Sequence, residues 1–278
     1  MILFPPCKIN IGLDILAKRQ DGFHDIDTVM VPVNGFCDSL EVVPTVGGNS
    51  GDGDLMPEIS FSGYCVDCPP EDNIVLKAWN LVRQHYHIGS VRIHLHKSIP
   101  FGAGLGGGSA DAAYMLKGLN ELFGLGIDQM RLKDFALRLG SDVPFFLQEF
   151  PMRCTGRGEI MEPVALPIGD MYVVIVKPDI FISTREAYSG VTPRIPDVTL
   201  AERLAMPVEQ WKHHVINDFE TTLFRHHPRL ADIKNSLYAS GAVYASMSGS
   251  GSSLFGLFAT EPNFTAPEDC VTWCGKLA

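Results

Sequence analysis

The sequence predicts an α+β fold divided into two lobes. Segments with helical spacing and segments with strand-like alternation take turns along the chain, and the clean alternation favours antiparallel strands. A chain of 278 residues is also long enough to bury the cores of two ordinary domains. The polar, glycine-containing segment Arg153–Gly158 predicts the boundary, which separates residues 1–158 from residues 159–278.

The first half is predicted to begin with two half-buried strands, followed by a helix and a third strand. Branched apolar residues recur at every second position around Ile9, Ile11 and Leu13 and again at Val29, Val31 and Val33, as half-buried strands should. Ile74–Tyr86 carries an apolar stripe at helical spacing, and Val91–His96 alternates with its histidines on a solvated face. The stretch Gly47–Asp54 is typical of a surface loop.

Two helices are predicted next. Apolar residues repeat at helical spacing over Ala112–Phe123, and Ser109 is placed as an N-cap. A second stripe covers Leu132–Leu139, with Gly140 where a C-terminal stop is expected. The remaining predicted elements are a buried strand at Tyr172–Val176, a helix at about Pro228–Tyr238, and strands near Val243–Met247 and Leu254–Phe258.

The charge balance limits the class of partner. The chain has 22 Lys and Arg residues against 32 Asp and Glu residues, a formal net charge of −10 at pH 7. Because a nucleic acid or an anionic membrane requires a basic surface, we expect neither as a partner. The longest strongly apolar run, Met171–Val176, is far shorter than the roughly 20 residues of a membrane span. Met1–Pro6 lacks the basic region of a secretory signal, so we expect a cytoplasmic protein.

The cysteines favour reduced thiols over a disulfide framework, since seven is an odd number in a large chain. Cys65 and Cys68 have the CxxC spacing of a zinc or redox site. Their possible partners, Cys270 and Cys274, are distant in sequence and wrongly spaced, so a zinc site is the weaker interpretation.

The strongest chemical signal is a glycine-rich loop, Pro100–Asp111, between a predicted strand and a predicted helix. Successive glycines allow close approach of the backbone and direct N–H groups at a ligand, and the helix N-terminus adds partial positive charge. The pattern therefore predicts a phosphate site. Ser109 could offer its hydroxyl to a phosphate oxygen or to a phosphate-bound magnesium ion.

Three other interpretations of this loop are weaker. Gly102, Gly104 and Gly107 satisfy GxGxxG, but a dinucleotide-binding loop should follow a fully buried parallel strand directly, and here Lys97–Pro100 intervenes. The Walker pattern fails because Gly108 occupies the position of its lysine. A flexible linker is disfavoured because a helix begins at once.

The segment Pro100–Ser109 resembles the phosphate loop of the GHMP kinase superfamily. Further segments that resemble this superfamily occur in the same order along the chain, so that the resemblance extends from Pro6 to about Phe258. These segments are Pro6–Asn10, Asp21–His24, Asp72–Ile74, Gly140–Phe145, Asn217–Glu220 and Met247–Gly251. The resemblance implies a two-lobed kinase, with an N-terminal ribosomal-S5-like lobe that binds the nucleotide and a C-terminal ferredoxin-like lobe.

The resemblance also implies the reaction. ATP would donate its γ-phosphoryl group, with magnesium expected from the chemistry, and the acceptor would be a small cytidylyl substrate whose polyol carries the hydroxyl. The segments Asp21–His24 and Gly140–Phe145 make this acceptor specific. Two alternatives remain: another small-molecule kinase of this fold, of the mevalonate or homoserine type, and an inactive nucleotide-binding sensor.

Two residues match the family's catalytic positions. Asp142 would accept the proton of the hydroxyl, although Asp followed two residues later by Pro144 is also a common way to start a helix. Lys8 could equally be an exposed strand lysine. The resemblance implies that it lies beside Asp142, where it would keep the carboxylate ionised and stabilise charge on the attacking oxygen.

Other positions match residues that hold the acceptor. Asn10 shares a strand face with Lys8 and would contact the diphosphate or polyol, with a cross-strand structural role as the alternative. Phe23 and His24 would stack on the cytosine and bond its edge, although the family usually has Tyr at position 23. Phe181 would cover the other face of the base, unless it is a core residue.

The resemblance assigns two loops to the phosphates. Ser248 and Gly249 would approach the transferred phosphate or the acceptor, a plain hairpin being the alternative. Asp111 is equally well explained as favourable charge in the first turn of a helix. The positions expected to bind ATP are Asn73, Lys97, Pro100, Gly102, Gly104, Leu105, Gly106, Gly107, Gly108 and Ser109.

Overall fold

The computed structural model describes residues 1–45, 56–66 and 68–277, so the loop predicted at Gly47–Asp54 lies outside the described residues. The strands are β1 (Ile2–Leu3), β2 (Pro6–Lys18), β3 (His24–Cys37), β4 (Ser39–Pro44), β5 (Glu58–Gly63), β6 (Val91–Lys97), β7 (Met152–Gly156), β8 (Ile160–Pro163), β9 (Tyr172–Pro178), β10 (Tyr244–Met247), β11 (Leu254–Phe258) and β12 (Cys270–Lys276). The helices are α1 (Ile74–Arg83), α2 (Gly107–Leu122), α3 (Gln129–Leu139), α4 (Thr184–Ser189), α5 (Leu200–Leu204), α6 (Val208–His214), α7 (Glu220–His226) and α8 (Pro228–Ala239), with 3₁₀ turns at Pro70–Asp72 and Val143–Leu147.

The strands form four-stranded sheets with the orders β1-β4-β6-β5, β2-β3-β7-β8 and β10-β11-β9-β12. Pairing is antiparallel between β4 and both β1 and β6, between β7 and both β3 and β8, and between β9 and both β11 and β12. Only β5 and β6 among the described pairs run parallel. The α+β class and the mainly antiparallel pairing are confirmed.

The chain divides into two compact units, each built from non-consecutive segments. The first comprises Met1–Cys7, Cys37–Phe101 and Gly106–Glu149. The second comprises Lys8–Phe36, Gly102–Leu105 and Phe150–Ala278. The division of the chain at residue 158 stays a prediction.

In the first unit, α1, α2 and α3 pack on one another, and α2 packs on β4. The predicted solvated face of β6 is confirmed, because Val91, Ile93 and Leu95 are buried while Arg92 and His96 are exposed.

The histidines of that face also make hydrogen bonds within the sheet. The ring nitrogens of His94 lie 2.8 Å from Ser60 Oγ and 2.9 Å from Ser62 Oγ, on the neighbouring strand β5. The solvated face therefore carries an ordered polar network.

In the second unit, β2 is buried on both faces rather than one. Every residue of Pro6–Ile15 is buried, including Lys8, Asn10 and Asp14. The prediction of half-buried strands was wrong here and also at Val29–Val33 of β3, where every residue is buried. In β2 the polar members of the alternation are satisfied internally; Asp14, for example, pairs with the guanidinium of Arg203. Sequence alternation alone does not distinguish a buried polar network from a solvated face.

Several predicted element boundaries change. Helix α1 ends at Arg83, before Tyr86. Ser109 is not an N-cap, because Gly106 takes that position with a left-handed φ of 72° and α2 therefore begins at Gly107. Residues 153–156 of the segment Arg153–Gly158 belong to β7, which pairs with β3, and Arg153 forms a bidentate ion pair with Asp27. Helix α3, its end at Gly140, and helix α8 are confirmed.

No helix in the described part of the chain is both long and apolar enough to span a bilayer. The seven cysteines, all within the described residues, form no disulfide. No group of three or more His, Cys, Asp or Glu side chains in residues 1–45, 56–66 and 68–277 could hold a metal ion.

Candidate active site

A cluster of polar groups is built on β2 in the second unit. Lys8 is 3% exposed, and its ammonium donates to Asn10 Oδ1 at 2.5 Å and to the Gly104 carbonyl at 2.9 Å. Asn10 in turn donates from Nδ2 to Thr28 Oγ1 at 3.1 Å. A charge on a buried strand is costly unless hydrogen bonds compensate it, so these acceptors fix the position of the ammonium group.

The loop after β10 joins this cluster. The hydroxyl of Ser248 donates to the Gly104 carbonyl at 2.9 Å and accepts from the Asn10 backbone N–H at 3.3 Å. A Cβ atom on Gly249 would lie 3.3 Å from both Lys8 Nζ and Asn10 Oδ1. The structure therefore brings together five residues predicted for the site, and Ser248 is more than part of a plain hairpin.

Residues of Asn217–Glu220 hold that loop in place. Asn217 donates from Nδ2 to the carbonyls of Met247 and Gly249, at 2.9 and 2.8 Å. The Glu220 carboxylate accepts from the Met247 N–H at 2.8 Å. Asn217–Glu220 therefore has a physical role beyond its resemblance to the superfamily: it fixes the end of β10 and the turn at Ser248.

The glycine loop begins in the second unit, where close backbone contacts explain its composition. Gly104 has a left-handed φ of 73°, and a Cβ there would lie 2.1 Å from the Ser248 carbonyl oxygen. The Leu105 carbonyl accepts from the Lys8 N–H at 2.9 Å, and the Ala103 carbonyl accepts from the Ser253 N–H at 3.1 Å. Only glycine fits at position 104.

The loop continues in the first unit as the N-terminus of α2. Gly106 is the N-cap, and Gly107, Gly108 and Ser109 form the first turn, whose N–H groups have no acceptor within the helix. Pro100 is the first residue of the loop and lies outside any helix or strand. A 16-residue helix that begins with such a turn can bind an anion through its backbone.

A buried ion cluster supports the turn that leads into this loop. Lys97 contacts Asp111 Oδ2 at 2.7 Å and also pairs with Asp38. Asp38 accepts through Oδ1 from the N–H groups of Ser98 and Ile99, at 2.7 and 2.8 Å. Sequence analysis missed Asp38, because nothing in its local pattern marks it as a partner of a strand 59 residues away.

The cluster also changes the interpretation of Asp111. Burial, with help from Asp38 and against the opposing charge of Lys97, raises the pKa of Asp111 to about 7. Burial lowers the pKa of Lys97, but the carboxylates of Asp111 and Asp38 outweigh the effect of burial, so that the pKa of Lys97 is raised. Asp111 is therefore not a simple first-turn charge but a member of a buried network. The nucleotide contact of Lys97 stays a prediction.

Asn73 caps the N-terminus of α1. Its side-chain Oδ1 accepts from the Val75 N–H at 2.9 Å and from the Leu76 N–H at 3.4 Å, as an N-cap does. Its predicted contact with the nucleotide stays a prediction.

Asp142 lies in the first unit, between the end of α3 at Gly140 and the 3₁₀ turn Val143–Leu147. Its side chain makes no capping hydrogen bond to that turn, whereas its carbonyl accepts from the Phe145 N–H at 3.2 Å. The alternative that Asp142 serves only to start a helix therefore explains its backbone hydrogen bond, but its carboxylate does not act as an N-cap.

Aromatic groups of the second unit surround the predicted base-binding residues. Phe23 is 52% exposed, and the Arg157 guanidinium lies 5.0 Å from its ring centroid. The His24 ring stacks on Tyr188 with centroids 4.6 Å apart and planes 22° apart. Burial, assisted by the charge of Lys18, lowers the pKa of His24. Sequence analysis missed Arg157 and Tyr188, because each is more than 130 residues from its partner.

Phe181 is not a core residue, since it is 68% exposed. Its Cε2 lies 3.1 Å from where a Cβ on Gly102 would be, so the ring packs on the glycine loop. The alternative of a buried Phe181 is excluded, and its contact with a base stays a prediction.

The comparisons with known proteins agree with this architecture. The family model for the GHMP kinases N terminal domain matches residues 73–149, and that for GHMP kinases C terminal matches residues 208–266. A mevalonate kinase from Methanococcus jannaschii superposes with a TM-score of 0.68 over 100% of this chain and 98% of that one, but at 12% identity it shares only the fold. The fold and the two matches define a GHMP-type kinase.

Two further relatives show to which family of GHMP kinases the chain belongs. A 4-diphosphocytidyl-2-C-methyl-D-erythritol kinase from Parabacteroides distasonis is 46% identical over the full length of both chains. The crystal structure of a 4-(cytidine 5'-diphospho)-2C-methyl-D-erythritol kinase superposes with a TM-score of 0.77 and 33% identity, over 92% of this chain and 90% of that one. The chain belongs to the family of 4-diphosphocytidyl-2-C-methyl-D-erythritol kinases.

Proposed function

We propose that this chain transfers the γ-phosphoryl group of ATP to the 2-hydroxyl of 4-(cytidine 5'-diphospho)-2-C-methyl-D-erythritol, in the non-mevalonate route to isoprenoid precursors. The observation that carries the proposal is the convergence of Lys8, Asn10, Gly104, Ser248 and Gly249 on one buried polar cluster, in a chain that belongs to this kinase family. We also propose that it works in the cytoplasm.

The donor phosphates bind the glycine loop in this proposal. The N–H groups of Gly107, Gly108 and Ser109 are oriented along the first turn of α2 and point toward the N-terminal end of the helix dipole. Backbone donors and a dipole attract a triphosphate without adding to the net charge. The turn at Ser98 and Ile99, held by Asp38, keeps the loop entrance fixed.

The chemical step needs a base and a group that stabilises charge. Asp142 accepts the proton of the 2-hydroxyl, and the oxygen attacks the γ-phosphorus while the bond to the β,γ-bridging oxygen breaks and ADP leaves. Lys8 stabilises the negative charge that develops on the transferred group. Asn10 and Ser248 orient the polyol and its diphosphate.

The acceptor base binds among aromatic groups. Phe23 and Phe181 offer exposed rings for stacking, and His24 offers ring nitrogens for the base edge. Phe23 lacks the hydroxyl that Tyr would supply, and because Arg157 lies over one face of its ring, the base would stack on the other face.

Magnesium enters with the phosphates of ATP in this proposal. Among the described residues no group of three or more His, Cys, Asp or Glu side chains could hold a metal ion by itself, so a magnesium ion would bind largely through the phosphates. We assign no step of the mechanism to a metal ion held by the protein alone.

The alternatives are not favoured. Mevalonate and homoserine kinases share this fold at 18% identity or less, and neither substrate carries a base for His24 and its aromatic neighbours. An inactive sensor would not need the ammonium group that β2 and the glycine loop hold in place.

Product analysis tests the proposal. Incubation with ATP and the cytidylyl substrate should yield ADP and one new phosphomonoester, which phosphorus NMR and two-dimensional carbon correlation would locate on the 2-oxygen. Phosphate on another oxygen, or ADP formed without a phosphorylated product, would contradict it.

A further inference from the structure

His24 begins β3, and one face of its ring is covered by Tyr188 of α4. The centroids are 4.6 Å apart and the planes are nearly parallel, at 22°. Parallel stacking fixes the plane of an imidazole but leaves its nitrogen atoms at the edge. Both residues are half-buried, so the contact is neither a core contact nor a free surface contact.

Tyr188 is itself held from behind. Its ring meets Phe219 edge to face, with centroids 4.9 Å apart and planes at 85°, and Phe219 is buried. The segment around α4 is attached on both sides of Tyr188: Glu186 pairs with His227 at 2.8 Å, and Thr222 donates to the Gly190 carbonyl at 2.7 Å. Tyr188 is therefore a rigid support and not a mobile surface ring.

The edge of the His24 ring, which carries its nitrogen atoms, differs from the stacked face in its contacts. Within the described parts of the chain, the ring nitrogens of His24 take part in no hydrogen bond, although the histidines of β6 and His227 do. A half-buried imidazole whose plane is fixed and whose edge has no protein partner suits recognition of a planar group with donors and acceptors on its own edge.

We propose that Tyr188 is a positioning residue for base recognition: it holds the His24 ring in the plane in which its nitrogens meet the edge of the cytosine. This inference rests on the proposed function and adds a specificity determinant to it. Tyr188 acts through His24 and does not itself touch the base edge. The hydroxyl of Tyr188 is not needed for this role, because the stacking contact involves the ring.

The test measures binding of cytidine 5'-diphosphate and uridine 5'-diphosphate by calorimetry. Wild-type protein should prefer the cytidine compound. Tyr188→Leu should weaken its binding by about three- to tenfold and reduce the preference over uridine, since one aromatic contact is lost. Tyr188→Phe should match wild type. Tyr188→Met, which also lacks the ring but has a flexible side chain that fills irregular gaps, replaces the leucine variant if that variant does not fold.

A double-mutant cycle with His24→Ala gives the decisive result. If Tyr188 acts through His24, Tyr188→Leu should cause no further loss of affinity in the His24→Ala background. Additive losses, equal binding of both nucleotides by wild type, or wild-type binding by Tyr188→Leu would overturn the inference. ADP release with the full cytidylyl substrate, measured in parallel, reports on the proposed function alone: selective nucleotide binding without turnover would contradict that function and leave Tyr188 in its role.

Discussion

At the residue scale, the informative feature is a charged group on a strand that is otherwise buried. Lys8 looks like an ordinary strand lysine in the sequence, yet it is 3% exposed and donates to Asn10 and Gly104. The alternation of β2 predicts which residues share a face, but not that the polar face is buried. That fact depends on Gly104 and Ser248, which lie far away in sequence and are brought near only by the fold.

Removing either proposed catalytic group should reduce turnover while the protein still folds. We expect Asp142→Asn and Lys8→Ala each to lower kcat by roughly 100-fold or more, because proton transfer and charge stabilisation are lost. Asp134→Asn and Lys133→Ala, on the exposed face of α3, are matched controls and should stay within about twofold of wild type. Steady-state kinetics and melting temperatures check this; near-normal kcat in Asp142→Asn would remove it from the mechanism.

At the element scale, the glycine loop was predicted well because its chemistry is local. A run of glycines before an amphipathic helix predicts a phosphate loop whatever surrounds it. The N-cap was wrong by three residues, because Gly106 starts the helix from a left-handed conformation and Ser109 is already inside it. The ion cluster behind the loop, in which Lys97 pairs with Asp38 and Asp111, was not predictable, since strand pairing brings Asp38 to Lys97.

Substitution in the loop should separate steric clash from backbone strain. Gly104 and Gly126 both have a left-handed φ, 73° and 66°, but a Cβ on Gly104 meets the Ser248 carbonyl at 2.1 Å while one on Gly126 meets nothing within 4 Å. Gly126→Ala should cost about 1 kcal/mol in the free energy of unfolding. Gly104→Ala should cost clearly more and abolish turnover. Urea unfolding measures both, and equal losses would show that the close approach is unimportant.

At the scale of the whole molecule, the net charge of −10 must be reconciled with polyanionic substrates. The charge count excludes partners that need a basic surface, but backbone N–H groups and a helix dipole do not enter it. Binding of phosphates is therefore local in this account, while the long-range field opposes their approach.

Salt should consequently accelerate the binding of ATP. Raising the ionic strength from about 0.01 M to about 0.15 M shortens the Debye length from about 30 Å to about 8 Å and screens the repulsion. We expect the association rate in stopped-flow measurements to rise about twofold or more, whereas neutral adenosine should show no change. An association rate that falls with salt would contradict this expectation, because it would indicate that a positively charged surface attracts ATP.

The pKa of Asp111 should make stability depend on pH. It lies near 3.8 in the unfolded chain and about 7 in the folded one, so between these values the folded state holds more protons and rising pH weakens folding. Asp111→Asn should remove this pH dependence, which is at most about 1.4 kcal/mol per pH unit. The free energy of unfolding of the variant should therefore rise relative to that of wild type between about pH 4 and pH 7. Urea unfolding across this range measures it, with Asp134→Asn as control; parallel pH profiles for wild type and Asp111→Asn would contradict it.

The most direct test of the central claim is acceptor specificity in a coupled assay of ADP release, with the cytidylyl substrate, mevalonate and homoserine compared side by side at saturating ATP. We expect turnover with 4-(cytidine 5'-diphospho)-2-C-methyl-D-erythritol and a kcat/KM for each of the others lower by at least about a thousandfold, because neither fills the site around His24. Turnover with mevalonate or homoserine, and none with the cytidylyl compound, would contradict it.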